Sequence, residues 1–272
     1  MALISVAVPG PWWTPLVYEH DCELPEGTRV KVPLGSSFRV GLVVKAAPPS
    51  GVKNLKKIAS VIDVTPVLPA ELWRTLLWFG STWFAGAGLA AKTLLPSRFL
   101  SDEPLVPAPA DTGRMDGFSA DYLYEPRDAC RYDKYVSLLT SSGAGTLVLF
   151  PEAAQAAVFW KRLPEELREK ALLWPASNPA KQWQCWRTAL AGGCSFIVGS
   201  QAASFAPLAR LSRVIVDDEC SGAWRTQKYP IFHCRSLLAA RAGFAGAEML
   251  VCVDLHASSD MVEWAGRGPL TV

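Results

Sequence analysis

RVIVDDEC, residues 213–220, is the stretch on which the fold turns. Val214, Ile215 and Val216 are β-branched, and three acids, Asp217, Asp218 and Glu219, follow without a break. A short apolar run with no period-two alternation reads as a strand buried on both faces, the kind found in parallel sheets. Carboxylates at its end stand where open α/β sheets gather their ligand-binding groups.

Outward from that strand the same rhythm recurs. TLVLF (146–150), SFIVG (195–199) and MLVCV (249–253) are further short apolar runs. PAKQWQCWRTALAG (179–192) and HCRSLLAARAGF (233–244) lie between them with helical character, so residues 119–272 are expected to form a parallel α/β lobe. Ahead of it, SDEPLVPAPADTGRMDG (101–117) is rich in proline, glycine and charge and predicts a linker over 101–118.

Residues 1–100 read differently. LISVAV (3–8), TRVKVPL (28–34) and FRVGLVVK (38–45) predict strands, the last two joined as a hairpin by GSS at 35–37. PAELWRTLLWFGSTWFAG (69–86) predicts a helix with Leu72, Leu76, Phe79 and Trp83 on one face; its tryptophans read as core before they read as base-stacking groups. The expected fold class is therefore α/β: a small β-rich domain over 1–100, then one parallel α/β lobe.

Half of the 272 residues are apolar, enough for large cores. No apolar run reaches the roughly 18–20 residues of a membrane span. MALISVAVPGPWW, at the start, has neither a basic n-region nor a cleavage site, so a cytoplasmic setting without membrane partners is expected. The seven cysteines include no C-x-x-C pair, and His20, His233 and His256 are isolated, so no metal is expected. Ser200 follows a strand and a glycine but lacks the G-x-S-x-G elbow, which removes it as a nucleophile. Residues 1–100 hold ten Lys/Arg and six Asp/Glu, whereas 101–272 hold seventeen and nineteen. The basic excess thus belongs to the first part, as a polyanion-facing surface or as an ordinary solvated face.

Several stretches carry a family resemblance. VAVPGPWWTPLVYEHDCELPEGTRVKVPLGSSFRVGLVV (6–44), with the helical segment and Leu95-Pro96 behind it, resembles the 3′-DNA-binding domain of the primosomal replication-restart helicases (primosomal protein N′, or PriA). LVLFPEAA (147–154), IVGSQAASFAPLARLSRVIVDDEC (197–220) and PIFHCRSLLAARA (230–242) resemble the same family's first RecA-like lobe, in the same order. The resemblance implies a 3′-DNA-binding domain followed by a single P-loop NTPase-like lobe, and a role in replication restart and primosome assembly.

Departures from the family pattern bear on activity. Where the family has its phosphate loop, this chain reads EPRDACRY (125–132): Glu125 and Cys130 replace glycines, Arg131 the lysine and Tyr132 the hydroxyl residue. Such a loop needs glycine so that backbone N–H groups can wrap the phosphates. Asp217 matches the Mg²⁺-binding aspartate, Asp218 stands for a glutamate, and Cys220 replaces a histidine. VDLHASSD (253–260) scarcely matches the next motif, and the sequence ends at Val272. The resemblance then implies that the second lobe, its arginine finger, the zinc module and the winged helix are not carried here. Arg131, Asp217 and Asp218 are expected to form a vestigial nucleotide site, with no catalytic residues and with the family's ATP, Mg²⁺ and zinc lost.

In the family, a pocket captures the terminal base and 3′-hydroxyl of a DNA strand. Carried over, it implies Leu16, Val17, Tyr18, Gly35 and Lys56; Val17 stands where an acid accepts from the hydroxyl. These residues read equally as core and turn residues. Arg29, Lys31, Arg39, Lys45, Lys53 and Lys57 are the candidate phosphate contacts. The implied partners are branched or fork DNA with a 3′ end and other replication-restart proteins. Two alternatives stay open: an ATP-dependent 3′-5′ helicase acting by unusual means, and a protein-interaction scaffold without DNA binding.

Overall fold

The computed structural model describes residues 1–46, 54–107, 118–141 and 145–253, with Ser259 and Glu263. Lys53, residues 108–117 of the expected linker and most of VDLHASSD lie outside the described residues. The chain divides into two compact units, Met1–Ala108 and Pro109–Val272.

In the first unit, β1 (Ala2–Ala7), β2 (Leu16–His20), β3 (Arg29–Leu34), β4 (Ser37–Ala46) and β5 (Ser60–Val61) form an antiparallel sheet in the order β2-β1-β4-β3-β5. The expected β3–β4 hairpin is present, with Leu34 opposite Ser37 around Gly35. Alternation along β3 sends Val30 and Val32 inside, onto Ile4, Val6, Tyr18, Val43 and Ile58. The segment before β5 joins the two ends of the sheet. Glu19 N donates to Lys56 O at 3.0 Å and Ile58 N to Glu19 O at 3.0 Å on the β2 side. Ala59 N donates to Lys31 O at 2.9 Å and Ile62 N to Arg29 O at 2.9 Å on the β3 side. The sheet is thereby wrapped around its own core.

The helix expected over 69–86 is present as α1 (Ala70–Thr82) and ends four residues early; a second helix, α2 (Gly86–Leu94), starts at the last residue of that stretch. Phe84 at φ 49° and Gly86 at φ 68° turn the chain left-handed between them. A Cβ on Gly86 would stand 2.7 Å from the carbonyl oxygen of Trp13 and 2.8 Å from that of Trp12, and one on Gly88 2.1 Å from that of Val8. Glycine here lets α2 lie on the chain leaving β1.

Arg29 corrects an expectation. It is fully buried and cannot meet DNA phosphate. Nε and Nη2 donate to the two Asp63 carboxylate oxygens at 2.6 and 2.8 Å. Nη1 donates to the carbonyls of Phe99 (2.8 Å) and Ser101 (3.1 Å), and Nη2 also to that of Glu103 (2.7 Å). All five guanidinium N–H donors are satisfied, as a buried charge requires. The clasp ties the chain after the short 3-10 helix Ser97–Leu100 back to β3.

In the second unit, β6 (Ser119–Tyr124), α3 (Asp128–Ser141), β7 (Gly145–Leu149), α4 (Ala153–Arg162), α5 (Glu165–Arg168) and β8 (Ala171–Leu173) come first. α6 (Pro179–Leu190), β9 (Phe196–Gly199), β10 (Leu211–Val216), α7 (Cys234–Ala245) and β11 (Glu248–Val253) follow. Its six strands are all parallel, in the order β6-β11-β10-β7-β9-β8. Val214, Ile215 and Val216 of β10 are fully buried, as a strand covered on both faces must be. Local signals agree with the helix starts: Asn178 Oδ1 accepts from Lys181 N at 3.0 Å with Pro179 at the first position of α6. An antiparallel β-rich unit followed by a parallel α/β unit is thus the observed architecture.

Candidate functional site

Two places gather the candidate residues, one in each unit. In the first unit, Tyr18, Gly35 and Lys56 come together. Lys56 Nζ donates to Gly35 O at 3.3 Å, and Tyr18 Oη donates to Pro33 O at 3.2 Å, two residues before Gly35. The Tyr18 ring is buried in the core, and that burial raises its phenol pKa, so the hydroxyl stays neutral. Gly35 turns the hairpin at φ 60°, and a Cβ there would meet open space; its glycine answers to backbone angle rather than crowding. Leu16 packs at the margin of the same core. Val17 faces Ser5 across the β1–β2 pair and alternates to the strand face opposite Leu16 and Tyr18.

The candidate phosphate contacts divide. Lys31 is half-exposed, bonded to Asp102 at 3.0 Å and lying over the Phe38 ring. Arg39, Lys45, Lys56 and Lys57 are exposed. With Arg29 buried, these four are the described candidates whose charge is open to solvent on this unit.

In the second unit, Asp217 stands just after β10 and is fully buried. Arg131, on the first turn of α3, reaches it: Nε donates to Oδ1 at 2.8 Å. Its other donors go to Glu125 O (2.8 Å) and Asp128 Oδ1 (2.6 Å). Tyr135 Oη donates to Asp217 Oδ1 at 2.6 Å. Burial opposes charge on Arg131, but the hydrogen bond and charge of Asp217 override it and raise the guanidinium pKa. Tyr135 was not singled out from sequence, although it follows Arg131 by one helical turn and so shares its face. Asp218 adopts φ 41°, and its carbonyl, with that of Asp217, accepts from Trp224 Nε1 at 2.9 and 3.3 Å. Next to it, fully buried Glu219 is paired with Arg235.

Between β6 and α3 there are only Glu125, Pro126 and Arg127. Glu125 N donates to Val253 O at 3.2 Å, Pro126 has no N–H, and Arg127 N donates to Glu125 Oε1 at 3.1 Å. Hydrogen bonds from the Arg127 side chain and N–H hold the Glu125 carboxyl at about 2, so it stays ionised. Tyr132 packs against Phe150 and Phe159, with ring centroids 5.6 and 5.5 Å away, and is 3% exposed. Among the described residues, no group of three or more His, Cys, Asp or Glu is placed to hold a metal ion.

The 3′DNA-binding domain family model of PriA matches residues 5–96. Replication restart protein PriA of Rickettsia conorii is 20% identical over 93% of this chain and 42% of its own length. That of Treponema pallidum is 21% identical over 85% of this chain and 40% of its own. That of Synechocystis is 28% identical over 37% of this chain and 12% of its own. The DUF1998 helicase MrfA, in a crystal structure bound to DNA, aligns over 49% of this chain and 20% of that one at 10% identity and a TM-score of 0.38. The chain spans about two-fifths of the length of the Rickettsia and Treponema relatives. Residues 5–96 are thus similar to the PriA 3′DNA-binding domain, and the chain over most of its length to replication restart protein PriA.

Proposed function

We propose that this chain binds DNA through its first unit, preferring branched or fork DNA with a 3′ end, in replication restart, and that its second unit neither binds nor hydrolyses ATP. The observation that carries the DNA reading is the match of residues 5–96 to the 3′DNA-binding domain, with Tyr18, Gly35 and Lys56 drawn to one rim. Exposed Arg39, Lys45 and Lys57 supply the phosphate-attracting charge. Val17 offers no acceptor to a 3′-hydroxyl, so end capture relies on shape and on Lys56.

The α/β unit does not fit a magnesium nucleotide. The β6–α3 connection has no free backbone N–H with which to wrap a phosphate. The Asp217 carboxylate, where a metal would be held, already receives Arg131 and Tyr135. Phosphoryl transfer depends on positioning and charge stabilisation, and neither is provided here. The unit acts instead as a folded platform, available to other replication-restart proteins.

Fluorescence anisotropy tests the DNA reading, using a labelled fork with a free 3′-hydroxyl, the same fork with a 3′-phosphate, and a salt series. Weaker binding to the blocked end is expected. Binding that ignores the end and falls steeply with salt would reduce the activity to backbone attraction, and no binding at low salt would overturn it. A thermal melt with and without Mg-ATP tests the second half; any ATP-dependent rise would overturn it, because a ligand held by the folded state alone stabilises that state.

A further inference from the structure

Two aromatic rings on the first unit are built to stay outside the core. Trp13, in the connection from β1 to β2, is 51% exposed, and Phe84, between α1 and α2, is 77% exposed. They stack on one another with centroids 5.7 Å apart and planes 23° from parallel. Phe84 holds φ 49°, a left-handed backbone that a bulky residue adopts only against a steric cost. The neighbouring Ala85 and Gly86 are buried, and Gly86 presses on the carbonyls of Trp12 and Trp13. Two distant segments are thus locked together at the backbone while their rings project outward. Strain held in place to expose an aromatic surface is a feature of binding sites.

The geometry points to a stacking platform for an unpaired DNA base, on the strand whose 3′ end the Tyr18–Gly35–Lys56 rim receives. This inference rests on the DNA-binding reading and adds a second subsite to it. Near-parallel rings on two exposed residues offer the kind of flat surface on which a nucleobase stacks whatever its sequence. Trp13 is five peptide units from Tyr18 of that rim, so their Cα atoms lie within about 18 Å, a span of about three nucleotides. The exposed Arg39, Lys45, Lys56 and Lys57 of the same unit supply the charge that a strand reaching both places needs.

The test is an abasic scan of the fork by fluorescence anisotropy, removing in turn each of the last few bases of the strand that bears the 3′ end. For the unaltered protein, affinity should fall about tenfold at one position. Phe84→Gly and Trp13→Ala should bind the intact fork about tenfold more weakly and should no longer sense that abasic position. Phe84→Gly also relieves the left-handed backbone, so its melting temperature should hold or rise, separating loss of the ring from loss of the fold. A flat scan by a protein that still binds the fork would overturn the platform and leave the DNA reading standing. Variants that bind and scan like the unaltered protein would also overturn it. Failure to bind any fork at low salt would overturn both.

Discussion

Each unit buries one arginine against one aspartate, and the two pairs have different surroundings. Arg29 meets Asp63 across 34 residues and spends its remaining donors on three backbone carbonyls of the departing chain. Arg131 meets Asp217 across 86 residues and shares it with Tyr135. Around Arg29 every donor is accounted for, and nothing about the pair suggests a ligand. The Arg131 pair sits at the carboxyl ends of parallel strands, the region where such sheets bind ligands. One pair clasps a small sheet together; the other occupies, with the protein's own side chains, a sheet end of the kind at which open α/β sheets bind ligands. A buried cation therefore has to be interpreted from where its aspartate stands.

The largest expected effect comes from breaking the clasp. Arg29→Ala strands Asp63 and three carbonyls and should cost roughly 3–5 kcal/mol in denaturant unfolding of the first unit, with Arg29→Lys recovering part of it. Arg131→Ala should cost less, about 2–4 kcal/mol, because Tyr135 still donates to Asp217; adding Asp217→Asn should return part of that loss by removing the unpaired charge. If Arg131→Ala proved neutral, the pair would not be the internal counter-charge described here. Tyr135→Phe removes one hydrogen bond to a charged acceptor and should cost about 1–2 kcal/mol, read from the same unfolding curves. Lys56→Ala marks the contrast with both buried arginines. It should leave the unfolding curve within about 0.5 kcal/mol while lowering fork affinity and reducing the salt slope by about one.

The smallest effect separates buried from exposed thiols. Burial pushes Cys234 up to about 11 and Cys252 up to about 12, whereas Cys22 is exposed. At pH 8, with both buried thiols protonated, a thiol reagent should label Cys22 promptly and the other two only on unfolding.

The strands were legible wherever one period persisted. Val30 and Val32 alternate as a half-buried strand should, and VIV (214–216), LVLF (147–150) and MLVCV (249–253) are unbroken apolar runs because the strands of a parallel sheet are covered on both faces. Closure of the first sheet was not legible, since it is made by backbone groups of Glu19, Lys56 and Ile58, whose side chains carry no sign of it. The helix over 69–86 breaks at Phe84, a residue whose intrinsic preference is against a left-handed turn; contact of Gly86 with the Trp12–Trp13 backbone decides the matter. Arg29 shares the polar phase of β3 with Lys31, so its burial could not be read from alternation. It follows from the chain after Phe99 crossing that face. At the Asp217 site, the loss of glycine from 125–132 was plain in the sequence. The inward turn of Arg131 was not, because Arg131 and Asp217 are brought together only by the order of the sheet.

The wrapping of the first sheet has a further consequence. With the chain around Lys56–Ile58 bonded to β2 and β5 paired to β3, the ladder at both ends is occupied by the unit's own backbone. Among the described residues no long open ladder is left on which another polypeptide could add a strand, which disfavours aggregation by edge pairing. A protein partner of this unit must then recognise side chains and loop tips rather than extend the sheet.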